Sequence, residues 1–224
     1  MKVGLQAAVS SVVGLAVFVT LVFAPAGTFD YWQGWAFIAV FSAFSLLPSI
    51  YLAVHDPAAL RRRMQAGPTA ETRPVQKFAS AMAFLLLAVM IVTSALDHRF
   101  GWSAVPAAVS VLGNVLVATG LGIAMLVVVQ NSYAAANVRV EAGQAVVSTG
   151  LYGLVRHPMY IGNVIMMVGV PPALGSYWAL LLIIPGLALL TVRITDEETM
   201  LHTELDGYDE YTQKVRYRLL PYLW

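Results

Sequence analysis

The sequence contains no cysteine and few charged residues. Of its 224 residues, 59% are hydrophobic and 11% are charged, whereas a soluble domain has roughly 25% charged residues. The absence of cysteine excludes disulfides, thiolate metal ligands and cysteine nucleophiles. The four histidines show no ligand spacing, so no metal site is expected, and a net charge of +1 gives no indication of nucleic-acid binding. This composition is typical of an integral membrane protein.

Long apolar runs fill the first 129 residues. Four of them are long enough to cross ~30 Å of hydrocarbon as helix. A cleavable signal peptide is not favoured, because Lys2 is the only basic residue before the first run and that run exceeds the usual length. We therefore predict an all-α, polytopic membrane protein with four full transmembrane helices in residues 1–129. These spans cover residues 3–23, 34–54, 78–96 and 105–129.

The loop between the second and third spans indicates the orientation. It carries five basic residues, and such an excess marks the cytoplasmic side of a membrane. The N-terminus is then cytoplasmic, and Arg139 and Arg156 after the fourth span agree with this assignment. We expect a prokaryotic inner membrane with both termini in the cytoplasm. The five basic residues are Arg61, Arg62, Arg63, Arg73 and Lys77.

Residues 160–192 are too short for two full crossings, which need ~40 residues, and too long for one. Pro171-Pro172 and Gly175-Ser176 interrupt this segment near its middle. A single crossing would also export the basic residues of the C-terminus, against the positive-inside rule. We predict a short broken helical hairpin that enters and leaves on the cytoplasmic side. The protein would then have five to six membrane segments in a single structural domain.

Polar residues flank this segment on both sides. Pro158 can open a helix with His157 at its N-cap, where the free N–H groups favour anionic groups. At the other end, Arg193 and Glu197 share one helix face, while Glu198 lies about 100° around the helix. The two glutamates therefore have different environments. A helix cap and a solvated first helical turn remain alternative interpretations of these residues.

Three motifs follow one another in the C-terminal third. The first is Arg156-His157-Pro158-Met159-Tyr160-Ile161-Gly162, the second is Arg193-x-x-x-Glu197-Glu198, and the third is Tyr208-x-x-Tyr211. Together they resemble the isoprenylcysteine carboxyl methyltransferase and phospholipid methyltransferase superfamily, over roughly residues 140–224.

The resemblance implies an enzyme that takes a methyl group from S-adenosylmethionine and releases S-adenosylhomocysteine. Residues 130–224, comprising the hairpin and a cytoplasmic tail, would form the cofactor-binding and catalytic region. Glu198, Tyr160 and Arg216 are the expected catalytic residues, Arg216 being preferred over Lys214 and Arg218 for holding a substrate carboxylate. The expected cofactor-binding residues are Gly150, Leu151, Arg156, His157, Pro158, Tyr160, Gly162, Arg193, Glu197 and Glu198.

The resemblance leaves the methyl acceptor open. The first expectation is carboxyl O-methylation of an isoprenylcysteine-like substrate, and the alternative is N-methylation of a phosphatidylethanolamine-type lipid. An amine must lose a proton, for which Glu198, His157 or a tyrosine is available. A non-catalytic lipid-binding protein is the alternative of another class, whereas a transporter is disfavoured because the four spans contain essentially no charges. A lipophilic acceptor would enter from the bilayer, with no nucleic-acid or metal partner.

Overall fold

The computed structural model describes residues 2–64, 67–134, 138, 140 and 143–224, with side chains from residue 12 onward. All regular secondary structure in these ranges is helical, as the sequence predicted. Arg139, on which part of the orientation argument rests, lies outside the described residues.

Eight α-helices are present in the described ranges. They are α1 (Lys2–Ala26), α2 (Trp32–His55), α3 (Pro57–Met64), α4 (Pro74–Phe100), α5 (Ala107–Gln130), α6 (Pro158–Ala173), α7 (Ile183–Glu204) and α8 (Tyr208–Lys214). Two short 3₁₀ turns, Gly150–Gly153 and Trp178–Leu182, come before α6 and α7.

Several of these helices are long and apolar enough to cross a membrane. Among the described residues there are four such segments: α2, α4, α5 and the continuous stretch Trp178–Glu204, which joins the second 3₁₀ turn to α7. Helix α1 adds an apolar helix of 25 residues. The predicted spans 34–54 and 78–96 each fall within one observed helix, and the span 105–129 begins two residues before α5. The protein is therefore an all-helical integral membrane protein.

The hairpin formed by α6 and α7 is longer than predicted. The hydroxyl of Ser176, at its tip, donates a hydrogen bond of 2.6 Å to Oδ2 of Asp97 in the last turn of α4. The hydroxyl of Tyr31, between α1 and α2, donates to the carbonyl oxygen of Leu174 at 2.6 Å. The tip therefore lies beside the far ends of the other helices.

The second limb runs past the predicted bounds of the hairpin, because the prediction counted only uncharged residues. Helix α7 continues past Arg193 to Glu204, and α6 alone rises ~24 Å over its 16 residues. The break between the limbs lies where the prolines and Gly175 placed it, and Gly175 has a φ of +72° that suits glycine. Residues 193–204 carry charges and continue the same helix, which a count of apolar residues does not register.

Glycines hold α6 tightly against α5. A Cβ on Gly120 would lie 2.4 Å from the carbonyl oxygen of Gly162, and a Cβ on Gly113 would lie 2.3 Å from the backbone nitrogen of Ala173. Small residues at such a seam let two helix backbones approach closely, which is a common way for membrane helices to associate. This contact fixes the position of α6, and therefore of the polar residues at its N-terminus.

Candidate functional site

The start of α6 is joined to the C-terminal tail, residues 205–224 after the end of α7. Pro158 occupies the first turn and His157 is the N-cap residue, which confirms the sequence prediction for this helix start. The backbone N–H groups of Arg156 and His157 donate to the carbonyl oxygens of Tyr217 and Arg218, both at 2.9 Å. The tail therefore lies along the residues before α6 and brings its own side chains to the same place.

Glu198 is the centre of a buried ionic cluster. Its side chain is 5% exposed, and its oxygens lie 2.7 Å from Nε of Arg218, 3.0 Å from Nε of Arg156 and 3.2 Å from Nε2 of His157. These partners come from the tail and from the residues just before α6, whereas Glu198 belongs to α7. The carboxylate thus joins three separate parts of the chain, and its contacts among the described residues are with cationic or imidazole nitrogens.

Glu197 has a different environment. The hydroxyl of Tyr160 donates to its Oε2 at 2.5 Å, and Nε of Arg193 donates to the same hydroxyl oxygen at 3.0 Å. The other carboxylate oxygen lies 3.9 Å from Nδ1 of His157, and the side chain is 21% exposed. Arg193 is also paired with the buried Glu71 at 2.8 Å. The two adjacent glutamates therefore face different partners, as their helical spacing predicted.

A cavity of about 550 Å³ lies beside these residues, between α4, α5, α6 and α7. This volume is within the range of small-molecule sites, ~300–1,000 Å³. Its polar end is lined by Arg156, His157, Tyr160, Glu197 and Tyr208. The remainder is an apolar chamber lined by aliphatic and methionine side chains, including those of Leu86, Met90, Leu121, Met166, Met167 and Leu189. One cavity thus joins a charged pocket to a lipophilic space.

Tyrosines of the tail complete the polar end. The hydroxyl of Tyr211 donates to the carbonyl oxygen of Tyr152 at 2.8 Å. Tyr208 is 3% exposed, lines the cavity, and its hydroxyl has no hydrogen-bond partner among the described residues. Burial raises the pKa of Tyr208, so the hydroxyl stays protonated as a donor. The sequence motif contained both tyrosines, but sequence reasoning did not assign them to the site.

Most of the predicted site residues do meet at the cavity. Arg156, His157, Pro158, Tyr160, Arg193 and Glu197 all contribute to its lining. Glu198 lies behind them, where it holds Arg156 and His157 in place.

Four predicted residues lie elsewhere in the described structure. Gly162 packs against α5, and Gly150 has a φ of +61° in a turn where a Cβ would lie 2.6 Å from Gln130. The N–H of Leu151 donates to the side chain of the same glutamine at 2.9 Å. The side chain of Arg216 is exposed, and Arg218 is the tail cation that reaches Glu198. The backbone path of the tail brings Arg218 rather than Arg216 to Glu198, and residue spacing does not reveal that path. Which of them holds a substrate carboxylate stays a prediction.

Comparison with known proteins supports the resemblance. Residues 109–203 match the profile of the isoprenylcysteine carboxyl methyltransferase (ICMT) family. The match covers most of α5, all of α6 and nearly all of α7, and it therefore contains the first two motifs. The superfamily resemblance inferred from the sequence is confirmed for this part of the chain, and it supports a membrane methyltransferase.

A curated relative matches over a shorter stretch. The Delta(14)-sterol reductase TM7SF2 of Mus musculus is 32% identical over 85 residues, which are 37% of this chain and 20% of that protein. The matched part thus spans about a fifth of the relative's length.

Proposed function

We propose that the protein is an S-adenosylmethionine-dependent methyltransferase that acts on a lipophilic acceptor. The observation that carries this proposal is a cavity whose charged end is continuous with an apolar chamber. A polar methyl donor and a lipid-like acceptor can meet there without either leaving its preferred environment. The match of residues 109–203 to a methyltransferase family supports the same reaction class.

The polar end fits the groups that S-adenosylmethionine carries. Its ammonium needs a carboxylate, its sulfonium favours aromatic faces or oxygens, and its carboxylate needs cationic or N–H donors. Glu197 offers a partly exposed carboxylate, and Tyr160 and Tyr208 offer aromatic rings. The unpaired hydroxyl of Tyr208 supports a ligand with hydrogen-bond acceptors, because a buried donor without a partner is costly.

When bound, S-adenosylmethionine supplies an electrophilic methyl group. The chain contributes mainly by aligning the acceptor with that group and by excluding water. The cluster around Glu198 keeps His157 and Arg156 in fixed positions at the cavity wall. Tyr160 is held from both sides by Arg193 and Glu197, so its ring has a fixed position next to the imidazole of His157.

We propose carboxyl O-methylation of an isoprenylcysteine-like substrate as the first candidate. Among the described residues that line the cavity, Glu197 is the only carboxylate, whereas arginines line it at several positions. This excess of cationic over anionic side chains favours an anionic acceptor, and a carboxylate acceptor needs no general base. N-methylation of a phosphatidylethanolamine-type lipid is the alternative, for which His157 would accept the proton. A non-catalytic lipid-binding protein would keep the apolar chamber and bind no cofactor.

The test is calorimetric titration of the detergent-purified protein with S-adenosylmethionine and S-adenosylhomocysteine. NADPH serves as the comparison ligand, because the curated relative is named a reductase. Saturable binding of the first two ligands is expected, followed by transfer of a labelled methyl group into a base-labile lipid ester. A stable N-methyl product would select the amine alternative. Binding of neither adenosyl compound by the folded protein would contradict the proposed function.

We also propose that the site faces the cytoplasm of a prokaryotic inner membrane. The arginines of α3 and the basic tail lie at the same end of the bundle as the site, which supports this orientation. The lack of native cysteine permits a direct test with the exposed residues Gln213 and Ala104. In intact cells, an impermeant maleimide is expected to label Ala104→Cys and to spare Gln213→Cys. The reverse pattern would contradict the orientation.

A further inference from the structure

Helix α3 directs one of its three consecutive arginines towards the cavity. Ala59 and Leu60 of this helix are buried against Leu52 of α2 and Val128 of α5. Arg63 lies four and three residues after them, and therefore on the same helix face. It is half-buried and contributes to the cavity lining, whereas Arg61 of the same helix is exposed.

The start of α3 is also fixed. Oδ1 of Asp56 accepts hydrogen bonds from the N–H groups of Ala58 and Ala59, at 3.1 and 2.9 Å. Side-chain capping of this kind fixes the entry of the chain into a helix. The direction of Arg63 is therefore set by the packing and capping of its helix.

The charge of Arg63 has no partner in the part of the chain that the structure describes. Arg62 differs, because its Nε donates to the carbonyl oxygen of Ser132 at 2.8 Å and its guanidinium lies 5.1 Å from the ring centre of Tyr133. Burial alone lowers the pKa of Arg63, with no neighbouring charge acting against it. A half-buried guanidinium is costly unless an anion pairs with it.

The other arginines of the cavity lining already have carboxylate partners. Arg156 is paired with Glu198, and Arg193 with Glu71. An anion that entered the cavity would therefore find Arg63 as the cation whose charge is still uncompensated among the described residues.

We propose that Arg63 binds the oxyanion of the lipophilic acceptor inside the cavity. This inference rests on the proposed function and deepens it by naming the residue that recognises the acceptor, a lipid with a carboxylate or a phosphate group. A guanidinium is suited to both, because its planar donors match two oxygens of either anion. Arg63 is then a specificity-determining residue contributed by the N-terminal half, outside the region that matches the methyltransferase family.

The experiment measures equilibrium binding of labelled lipids to the full-length protein in zwitterionic detergent. The probes are an S-farnesyl thioether carboxylic acid with its neutral methyl ester, and dioleoyl phosphatidylethanolamine with neutral dioleoylglycerol. Arg63→Gln is the test variant, and Arg61→Gln is the matched control with the same charge change on the exposed side of α3. S-adenosylhomocysteine affinity is measured for every variant.

Arg63→Gln is expected to weaken binding of the acid, or of the phospholipid, about tenfold or more. Binding of the neutral partner and of S-adenosylhomocysteine should not change, and Arg61→Gln should resemble the wild type. A selective loss of binding to the acid identifies a carboxylate as the group that Arg63 binds. A selective loss of binding to the phospholipid identifies a phosphate. If Arg63→Gln does not fold, Arg63→Lys is expected to weaken the same probe several-fold.

Three results would overturn the inference. In the first, Arg63→Gln binds both charged lipids with wild-type affinity. In the second, it loses as much affinity for a neutral lipid as for its charged partner, and in the third it loses S-adenosylhomocysteine binding in parallel. Failure of the wild-type protein to bind S-adenosylhomocysteine would instead contradict the proposed function. The affinities for charged and neutral lipids would still test the role of Arg63.

Discussion

Replacing each of the adjacent glutamates by glutamine should have different consequences. Glu198 is buried and pairs with Arg156, His157 and Arg218, whereas Glu197 is partly exposed at the cavity. Glu198→Gln is expected to destabilise the fold, and Glu197→Gln is expected to impair cofactor binding. The same chemical change at consecutive positions makes each variant the control for the other.

The expected loss of stability in Glu198→Gln follows from the burial of the residues that pair with Glu198. The side chains of Arg156 and His157 are 9% and 4% exposed, so loss of the carboxylate leaves a buried guanidinium without its counter-charge. Removing one partner of such a pair costs about 3–5 kcal/mol. Arg218 adds less, because its side chain is 34% exposed and water can replace the contact. At about 2–4 °C per kcal/mol for a chain of this size, the melting temperature should fall on the order of 10 °C.

Glu197→Gln should cost much less stability. Its amide oxygen can still accept the hydrogen bond from Tyr160, and the side chain has contact with solvent. We expect a loss of at most ~1 kcal/mol. If the carboxylate binds the ammonium of S-adenosylmethionine, the affinity for that ligand should fall about tenfold or more, because a hydrogen bond to a charged group contributes about 1.5–3 kcal/mol.

The assay combines thermal unfolding in detergent with calorimetric titration of S-adenosylhomocysteine. The reasoning predicts a lower melting temperature for Glu198→Gln and weaker binding with nearly unchanged melting for Glu197→Gln. An unchanged melting temperature for Glu198→Gln, together with more than tenfold weaker binding, would refute the assignment of Glu198 to a structural cluster.

Two further predictions test the helix seam and the tail. Gly120→Ala should destabilise the protein by about 1–3 kcal/mol or more, because its Cβ would lie 2.4 Å from a backbone oxygen of α6. Gly122→Ala on the same helix has nothing within 4 Å and should not lower the melting temperature, so equal losses would contradict the role of the seam. Tyr208→Phe removes a buried hydroxyl without a partner, so the ligand-free protein should keep its stability while S-adenosylhomocysteine raises its melting temperature less. A wild-type ligand shift in Tyr208→Phe would count against a contact between this hydroxyl and the cofactor.

The helices could be predicted from the sequence because hydropathy and span length are local properties. The predicted spans in α2, α4 and α5 needed only the length of each apolar run and the thickness of a bilayer. The start of α6 was equally local, since Pro158 fixes its own φ and suits the first helical position. The break before α7 followed from prolines and a glycine for the same reason.

The candidate site was predictable where motifs supply its residues. His157 and Tyr160 come from one motif and Glu197 from the next, and the structure places all three at one cavity. The different environments of Glu197 and Glu198 followed from helical geometry, since consecutive residues point about 100° apart. Which glutamate is buried did not follow, because the answer depends on where the tail lies.

The sequence by itself therefore determined the membrane class, the helices and the polar motifs, all of which depend on neighbouring residues. Tertiary structure decided the rest. It brought Arg218 rather than Arg216 to Glu198, assigned Gly162 to helix packing, and placed Arg63 of a distant helix at the cavity. Each of these outcomes depends on contacts between residues far apart in the chain, and such contacts are fixed only when the helices pack.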